Sequence, residues 1–561
     1  MGISPEALFQ AVSDDLRSSD SSECSPLDSV DPDLCSCSDA AVRSVASLNL
    51  RRSITKKWRP ETANPETRLK ALTLFLACNK KCRDWKLADT PEAHALLTEM
   101  KWIAYQDLAE VPDWQTLLTG LGVGPGASVG SRGRNSAYEK LFANPMTTTS
   151  YALLSEWHKF MAQSPTWLDA ELCRMLLLGS KSVKFVDGSK LSTVAKTLVI
   201  DRTINTEPSL NMIFQKSISG FLEKVLSRRF RYCQSVQPDR NRRMALEGSR
   251  TGRLATIDLT SASDLLPLAL FEEIFPPVFF GALRDCRSPK TEIDGHFIDL
   301  HMLSAMGNGF TFTVMTYLFS ILLEAVVRLK NRSSRKKDSY RVNFSYEQFG
   351  VFGDDIICPT AIYEDVVRAL TLFGFEPNLE KSYSRGLFRE SCGCDAYKGV
   401  NVRGVYCKSL RTIQERYSFI NRLLRWASNH GFLFPRTISL VLPSKWKRHL
   451  VPFDESDDAG LKVPSFLSQR QQKYVAYRPK RRVISFYNRK GNLRAWVINP
   501  TGLMLAASIG YADSAGVSRR LRRLRYGKVR LFTPNWDRVP YQTDTVVSFG
   551  DWAGICWAHL G

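Results

Sequence analysis

Gln348-Phe349-Gly350-Val351-Phe352-Gly353-Asp354-Asp355-Ile356-Ile357-Cys358 sets two adjacent acids between two apolar runs. The flanking β-branched and aromatic residues suit half-buried strands, and Gly353 supplies the backbone freedom that a tight hairpin turn needs. The acids are then displayed at a fixed point. Alone, a Gly-Asp pair is an ordinary solvated turn. Upstream, Leu254-Ala255-Thr256-Ile257-Asp258-Leu259-Thr260-Ser261-Ala262-Ser263-Asp264 reads as a short strand that ends in one carboxylate and enters a polar turn bearing another. Two strands that each deliver an acid to one place can hold two divalent metals about 3.5–4 Å apart, the arrangement that clamps both oxygens of an in-line phosphoryl transfer. Asp258, Asp354 and Asp355 are the expected metal ligands, hard oxygen donors suited to Mg²⁺. The plain alternative is an acidic strand end and an unrelated hairpin.

Other segments gain meaning from their place around these acids. Ser304-Ala305-Met306-Gly307-Asn308-Gly309-Phe310-Thr311 is a small polar loop that lets a nucleic-acid backbone come close, with Asn308 and Thr311 offering hydrogen bonds to a sugar hydroxyl. Lys196 and Arg202 are fixed cations that can neutralise a triphosphate, with Asp201 or Glu207 orienting the guanidinium. Lys381, in Asn378-Leu379-Glu380-Lys381, is placed to protonate a leaving pyrophosphate. Phe388-Arg389-Glu390-Ser391-Cys392-Gly393 begins another hairpin-like segment and is read as a grip on a growing strand. A surface strand of alternating charge and an ordinary helix start are the bland readings of the first two.

Composition narrows the partner. The chain of 561 residues is 44% hydrophobic and 24% charged, which is ordinary for a globular protein, but 77 Lys and Arg against 56 Asp and Glu leave a net charge of +21. That excess favours a polyanion, nucleic acid first. Cations gather at Arg228–Arg231, Arg240–Arg243, Arg332–Lys337, Arg478–Arg482 and Arg519–Arg525, with aromatics such as Tyr474, Tyr477, Phe486 and Tyr487 interleaved. Such clusters fit a channel that tracks phosphates and stacks bases. Arg519, Arg522 and Arg523 are expected on RNA backbone, on a helix whose two leucines dock one narrow stripe. The 13 cysteines show no regular spacing, which points to free thiols in a reducing compartment. Phe310–Val327 is the longest apolar stretch, yet its Ser and Thr residues and Glu324 mark it as a buried helix, so no membrane is expected.

Residues 1–45 are acidic and rich in Ser, Asp and Pro, and composition predicts a flexible arm. From Trp58 to Leu178 the apolar spacing is largely helical, residues 180–250 read as strands and then helices, and residues 254–400 alternate the two. No fold is legible beyond 405.

The ordered set of basic strand, Asp258-x5-Asp264, Gly307-Asn308-Gly309, the Gly-Asp-Asp hairpin, Lys381 and Phe388-Arg-Glu-Ser-Cys-Gly resembles the RNA-directed RNA polymerases of single-stranded RNA bacteriophages, the catalytic beta subunits of levivirus replicases. Ile200-Asp201-Arg202, Asn211-Met-Ile-Phe-Gln215 and Glu247-Gly-Ser249 fit the same group. The resemblance runs from about 180 to 400 and thinly to 430.

It implies an α+β fold shaped as a right hand, with fingers, palm and thumb and an antiparallel palm sheet carrying the hairpin. On that plan residues 46–243 are mainly fingers and N-terminal helices, 244–387 the catalytic palm, and 388–561 the thumb and a basic C-terminal region. Asp258, Asp354 and Asp355 become the palm's ligands for two Mg²⁺ ions, with Mn²⁺ as a substitute; Asp264 senses the ribose, and Gly307, Asn308 and Gly309 line the template and nucleotide. Lys196 and Arg202 contact the triphosphate. The implied partners are RNA, ribonucleoside triphosphates, the host translation elongation factors Tu and Ts and host RNA-binding proteins, in the cytoplasm of a bacterium. A reverse transcriptase is the nearest enzymatic rival, but Gly353, Asp264 and Asn308 together favour RNA synthesis. A basic virion protein that only binds the genome explains the charge and leaves the paired acids unexplained.

Overall fold

The computed structural model describes residues 3–21, 40–59, 64–124, 126–131, 137–143, 145–179, 183–333, 344–442, 449–464, 475–479, 483–485, 499–509, 528–530 and 541–545. At its centre lies a three-stranded antiparallel sheet, in the order Leu254–Ile257, Asp355–Pro359, Gly350–Phe352. Every residue of Leu254–Ile257 is buried, so the strand reads as a continuous apolar run. Phe352 pairs with Asp355 across the expected turn. Gly353 takes φ +63°, and a Cβ there would come 2.5 Å from the Phe312 ring. Only glycine meets both demands, a left-handed backbone and an aromatic ring pressed against it.

Helix Thr311–Ser333 supports this sheet and is long and apolar enough to cross a membrane. Val314, Tyr317, Leu318, Phe319, Ile321, Leu322 and Leu323 are all fully buried within the protein. Apolar on all sides, it is the core helix the sequence led us to expect. Its Thr316 hydroxyl accepts a 2.9 Å hydrogen bond from the Gly353 amide, which ties the acidic turn directly to the core.

A second sheet, ordered Asp201–Thr206, Ser189–Ala195, Lys290–Ile293, His296–Asp299, carries the predicted basic strand. A third joins Phe388–Ser391, Cys394–Tyr397 and Val400–Asn401. Cys392 and Gly393 both have positive φ, 47° and 77°, as a two-residue type I′ turn requires, so the expected hairpin is present. Antiparallel sheets and long helices together make an α+β protein.

The flexible arm predicted for residues 1–45 is not what the described residues form. Pro5–Ser21 and Ala40–Ser53 are helices. Leu8, Val12 and Leu16, at i, i+4 and i+8, are fully buried in a core shared with Val42, Leu50, Leu410, Tyr417, Ile420 and Leu423. Composition averaged over the segment hid this short apolar stripe. Packing also crosses the expected boundaries: residues 3–58 share a core with 388–461, and Lys290–Ile293 pairs with Ser189–Lys190.

Asp15 fastens the N-terminal helix. Its carboxylate accepts hydrogen bonds from the Arg436 amide at 3.1 Å, the Thr437 amide at 2.8 Å and the Thr437 hydroxyl at 2.7 Å, capping helix Pro435–Val441. Asp15→Ala should cost about 2 kcal/mol, the upper end for a lost cap, because it leaves three donors without a partner. Urea unfolding measures this, and a loss below about 0.5 kcal/mol would mean that the cap does not hold the helix.

Candidate active site

Strand pairing brings the three predicted acids to one end of the central sheet. Ile257 lies opposite Ile356, so Asp258 emerges beside Asp355 with Asp354 on the adjoining turn. All three are partly buried. Burial first, then Asp355, then Asp258 push the Asp354 carboxyl up to about 6. Asp355 is also raised, mainly by burial and further by Asp258, while hydrogen bonds from the Cys392 amide at 3.0 Å and the Ser391 hydroxyl at 3.3 Å oppose the shift. The acids repel one another, and a cation between them would relieve that repulsion.

Each acid has its own brace. The Asp258 amide donates to the Ser382 hydroxyl at 3.2 Å, and its carbonyl accepts from the Asn378 amide at 2.8 Å. Its carboxylate lies 3.4 Å from Asn378 Nδ2 and 3.5 Å from Lys381 Nζ. Sequence reading found Lys381 but missed Asn378 and Ser382, although both belong to the same short run. As the side chains stand, no group of three or more His, Cys, Asp or Glu among the described residues is gathered tightly enough to hold a metal ion.

Facing these acids are the predicted cations. Strands Ser189–Ala195 and Asp201–Thr206 pair so that Arg202 lies opposite Val194, and Lys196 follows on the connecting turn. Lys196, Arg202 and Lys381 are exposed. Lys196 is held below the usual lysine range, first by the protein around its ammonium and then by Arg202 and Lys381, with Asp354 and Asp258 pulling the other way. Three cations and the acids are thus within electrostatic reach of one another at an open mouth. Glu207 does not orient Arg202, contrary to expectation: it is buried and accepts from Ser288 Oγ at 2.7 Å and Gln215 Nε2 at 3.1 Å.

Asp264 stands on a short 3-10 turn, Ala262–Asp264. Burial pushes its carboxyl up to about 6, opposed by the Met306 amide, the Ser263 hydroxyl and the Arg202 and Lys196 charges. The Met306–Gly309 loop is therefore its neighbour. Gly307, at φ +111°, has no room for a side chain because a Cβ would run into the Asn205 carbonyl. Gln215 accepts from the Gly309 amide at 2.9 Å. Asn308 Oδ1 accepts from the Phe310 amide at 2.9 Å, whereas its Nδ2 is buried with no hydrogen-bond partner. The Thr311 hydroxyl is spent on the Ala305 carbonyl at 2.9 Å.

The raised Asp264 pKa has a measurable sign. In the unfolded chain Asp titrates near 4, so between about pH 4 and 6 the folded state binds the extra proton. Stability owed to this group should fall as pH rises through that window and stay level above it. Asp264→Asn should make the slope of a pH series of urea unfolding curves shallower, with Asp354 supplying part of what remains; an unchanged slope would mean that burial does not raise the Asp264 carboxyl.

Arg389 is a correction. It is fully buried, and its guanidinium donates to the carbonyls of Leu254 at 2.6 Å, Phe388 at 2.6 Å, Gly386 at 3.0 Å, Ser384 at 3.2 Å and Arg385 at 3.3 Å. It braces the central strand from below and cannot reach RNA. Other members of the basic runs are also internal: Arg229 is paired with Asp107 and Glu324 at 3.0 and 2.8 Å, and Arg240 lies over Tyr346 and bonds the Phe349 carbonyl. Arg228, Arg242 and Arg243 remain exposed. Arg519, Arg522 and Arg523 lie outside the described residues.

Fold and site together define an α+β protein whose central antiparallel sheet gathers acids opposite a cationic hairpin. The chain belongs to the RNA replicase beta-chain family, whose model matches residues 9–527. It is 35% identical over 320 residues to the RNA-directed RNA polymerase beta chain of Enterobacteria phage fr, across 55% of this chain and 54% of that one. It is also 35% identical over 282 residues to the RNA-directed RNA polymerase subunit beta of Escherichia virus Qbeta, across 48% and 45%. The chain spans about half the length of the relatives it matches. Among solved structures, an insertion loop deletion mutant of the RNA-dependent RNA polymerase of a human picorbirnavirus superposes with a TM-score of 0.33 at 12% identity, over 73% of this chain and 92% of that one.

Proposed function

We propose that the protein is an RNA-directed RNA polymerase, the catalytic subunit of a phage replicase. Family membership supports this, and the observation that carries it is the meeting of Asp258, Asp354 and Asp355 with Lys196, Arg202 and Lys381 at one sheet end. In this reading the central sheet and helix Thr311–Ser333 are the palm of a right hand. Residues 46–243 supply mainly fingers, and the region from 388, joined by the N-terminal helices, supplies the thumb.

The donor set is all carboxylate, which suits Mg²⁺ or Mn²⁺, and the repulsion of Asp354 by Asp355 and Asp258, which adds to the effect of burial, is what a divalent cation would relieve. Asp258, Asp354 and Asp355 would hold such ions. Bound there, they supply activation of a hydroxyl nucleophile and stabilisation of charge on the leaving oxygens. Lys196 and Arg202 hold the triphosphate. The 3′-hydroxyl of the growing strand gives up its proton to solvent and attacks the α-phosphate, the bond to pyrophosphate breaks, and Lys381 provides the proton that pyrophosphate takes up. In this reading Asp264 and the neighbouring Asn308 read the sugar, where a missing 2′-hydroxyl leaves a polar group unpaired and supplies selectivity.

The family resemblance adds host elongation factors Tu and Ts and host RNA-binding proteins as partners, and the bacterial cytoplasm as the place of action. The test is incorporation of labelled ribonucleotides on added RNA by protein purified with its co-purifying host proteins. An RNA product that requires Mg²⁺ is expected. A DNA product would identify a reverse transcriptase, and metal-independent RNA binding without incorporation would identify a genome-binding protein.

A further inference from the structure

Behind the Asp264 turn, away from the acids, lies a cavity of about 370 Å³ that the mechanism above does not use. Lys80 and Lys81, at the end of helix Pro65–Arg83, form its basic wall with the Asp84 carboxylate beside them, and Cys82, Trp85, Leu265, Pro267 and Gly374 form the rest. The volume falls at the small end of the range of ligand pockets, about 300–1,000 Å³. The half-buried indole is fixed by a 2.9 Å hydrogen bond from its Nε1 to the Phe373 carbonyl, and the Gly374 backbone packs beside that same edge. A ring held at one edge can offer its face for stacking. Lys81 is paired with Glu376 and Asp84 with Arg83, whereas Lys80 is exposed, feels the Asp84 charge and makes no ion pair within 4 Å among the described residues.

We propose that this cavity is a second nucleotide site, taking a base against Trp85 and its phosphate against Lys80. A flat aromatic ring carrying an anion is the chemistry that this pairing of indole and ammonium recognises. The site reaches the sugar-reading turn from behind. Leu265 follows Asp264 directly in the chain, and the Cys82 thiol donates to the Asp264 carbonyl at 3.5 Å. A nucleotide seated here presses on the turn that carries the Asp264 carboxyl. Binding stands on the cavity alone; only its effect on Asp264 rests on the polymerase reading.

The test uses the full chain with EDTA present and 4-thiouridine 5′-monophosphate as a photoreactive probe, with the labelled peptides mapped by mass spectrometry. Saturable labelling at Trp85 is expected, at least tenfold weaker with 4-thiouridine, which lacks the phosphate, and at least tenfold weaker in Lys80→Glu, a substitution at an exposed position. Trp85→Phe should retain binding of unlabelled uridine monophosphate, measured by competition, because it keeps an aromatic face. Stronger competition by a ten-residue oligouridylate than by uridine monophosphate assigns the occupant to an RNA strand, and the reverse order to a free nucleotide; both support the site. Label confined to peptides bearing Asp258 or Asp354, or undiminished in Lys80→Glu, overturns it. Asp354→Ala should label like the wild type, so loss of this site and loss of polymerisation read out separately.

Discussion

Asp354→Ala should lower nucleotide incorporation by about a thousandfold or more while the protein stays folded and binds RNA as before. A drop of that size corresponds to about 4 kcal/mol of lost transition-state stabilisation, which removal of one ligand from a catalytic metal pair readily reaches. The fold should tolerate the change because the turn is held by the Gly353 amide on Thr316 and by the Phe352–Asp355 pairing, neither of which uses the Asp354 side chain. Relief of repulsion between half-buried acids even favours the variant's folded state. Single-turnover incorporation on a fixed RNA template measures the effect. Retention of more than about a tenth of the wild-type rate, under about 1.4 kcal/mol, would remove Asp354 from the metal set.

Arg389→Met should be the most damaging single change to stability described here, at about 3–4 kcal/mol. The side chain satisfies five backbone carbonyls, and methionine fills its volume while leaving them without a donor. Leu254 is among those carbonyls, so the strand leading to Asp258 loosens and incorporation falls with it. Urea unfolding and incorporation should therefore decline together. A variant of unchanged stability that bound RNA more weakly would instead restore Arg389 to the RNA surface.

These two residues mark what sequence could and could not convey. The Gly-Asp-Asp hairpin was legible because glycine, paired acids and β-branched flanks constrain the same turn, and because Asp258 ends a second apolar run. The Cys392-Gly393 hairpin was legible for similar reasons. Arg389 and Glu207 were misread since an arginine's donors serve a phosphate or five carbonyls equally well, and a glutamate's oxygens serve a guanidinium or a buried serine and glutamine. Only the fold decides which partner is near. Leu8, Val12 and Leu16 carried a helical period, but three apolar residues in an acidic segment weigh little until the surface they fit is known. Asn378 and Ser382 went unnoticed because bracing a strand end calls for no distinctive residue type.

The tie between Asp15 and Thr437 spans 422 residues of chain. At ribosomal speeds of about 5–20 residues per second, roughly 20–80 s separate the synthesis of its two halves. For that interval the helix can bury Leu8, Val12 and Leu16 only against Val42, Ala46 and Leu50 of the helix that follows it. The rest of that surface, around Leu410, Tyr417, Ile420 and Leu423, is made only after the central sheet with its acidic turn. A product cut short before residue 437 would still carry all three acids and lack the clasp, so the ribosome delivers the acids of this protein before that fastening.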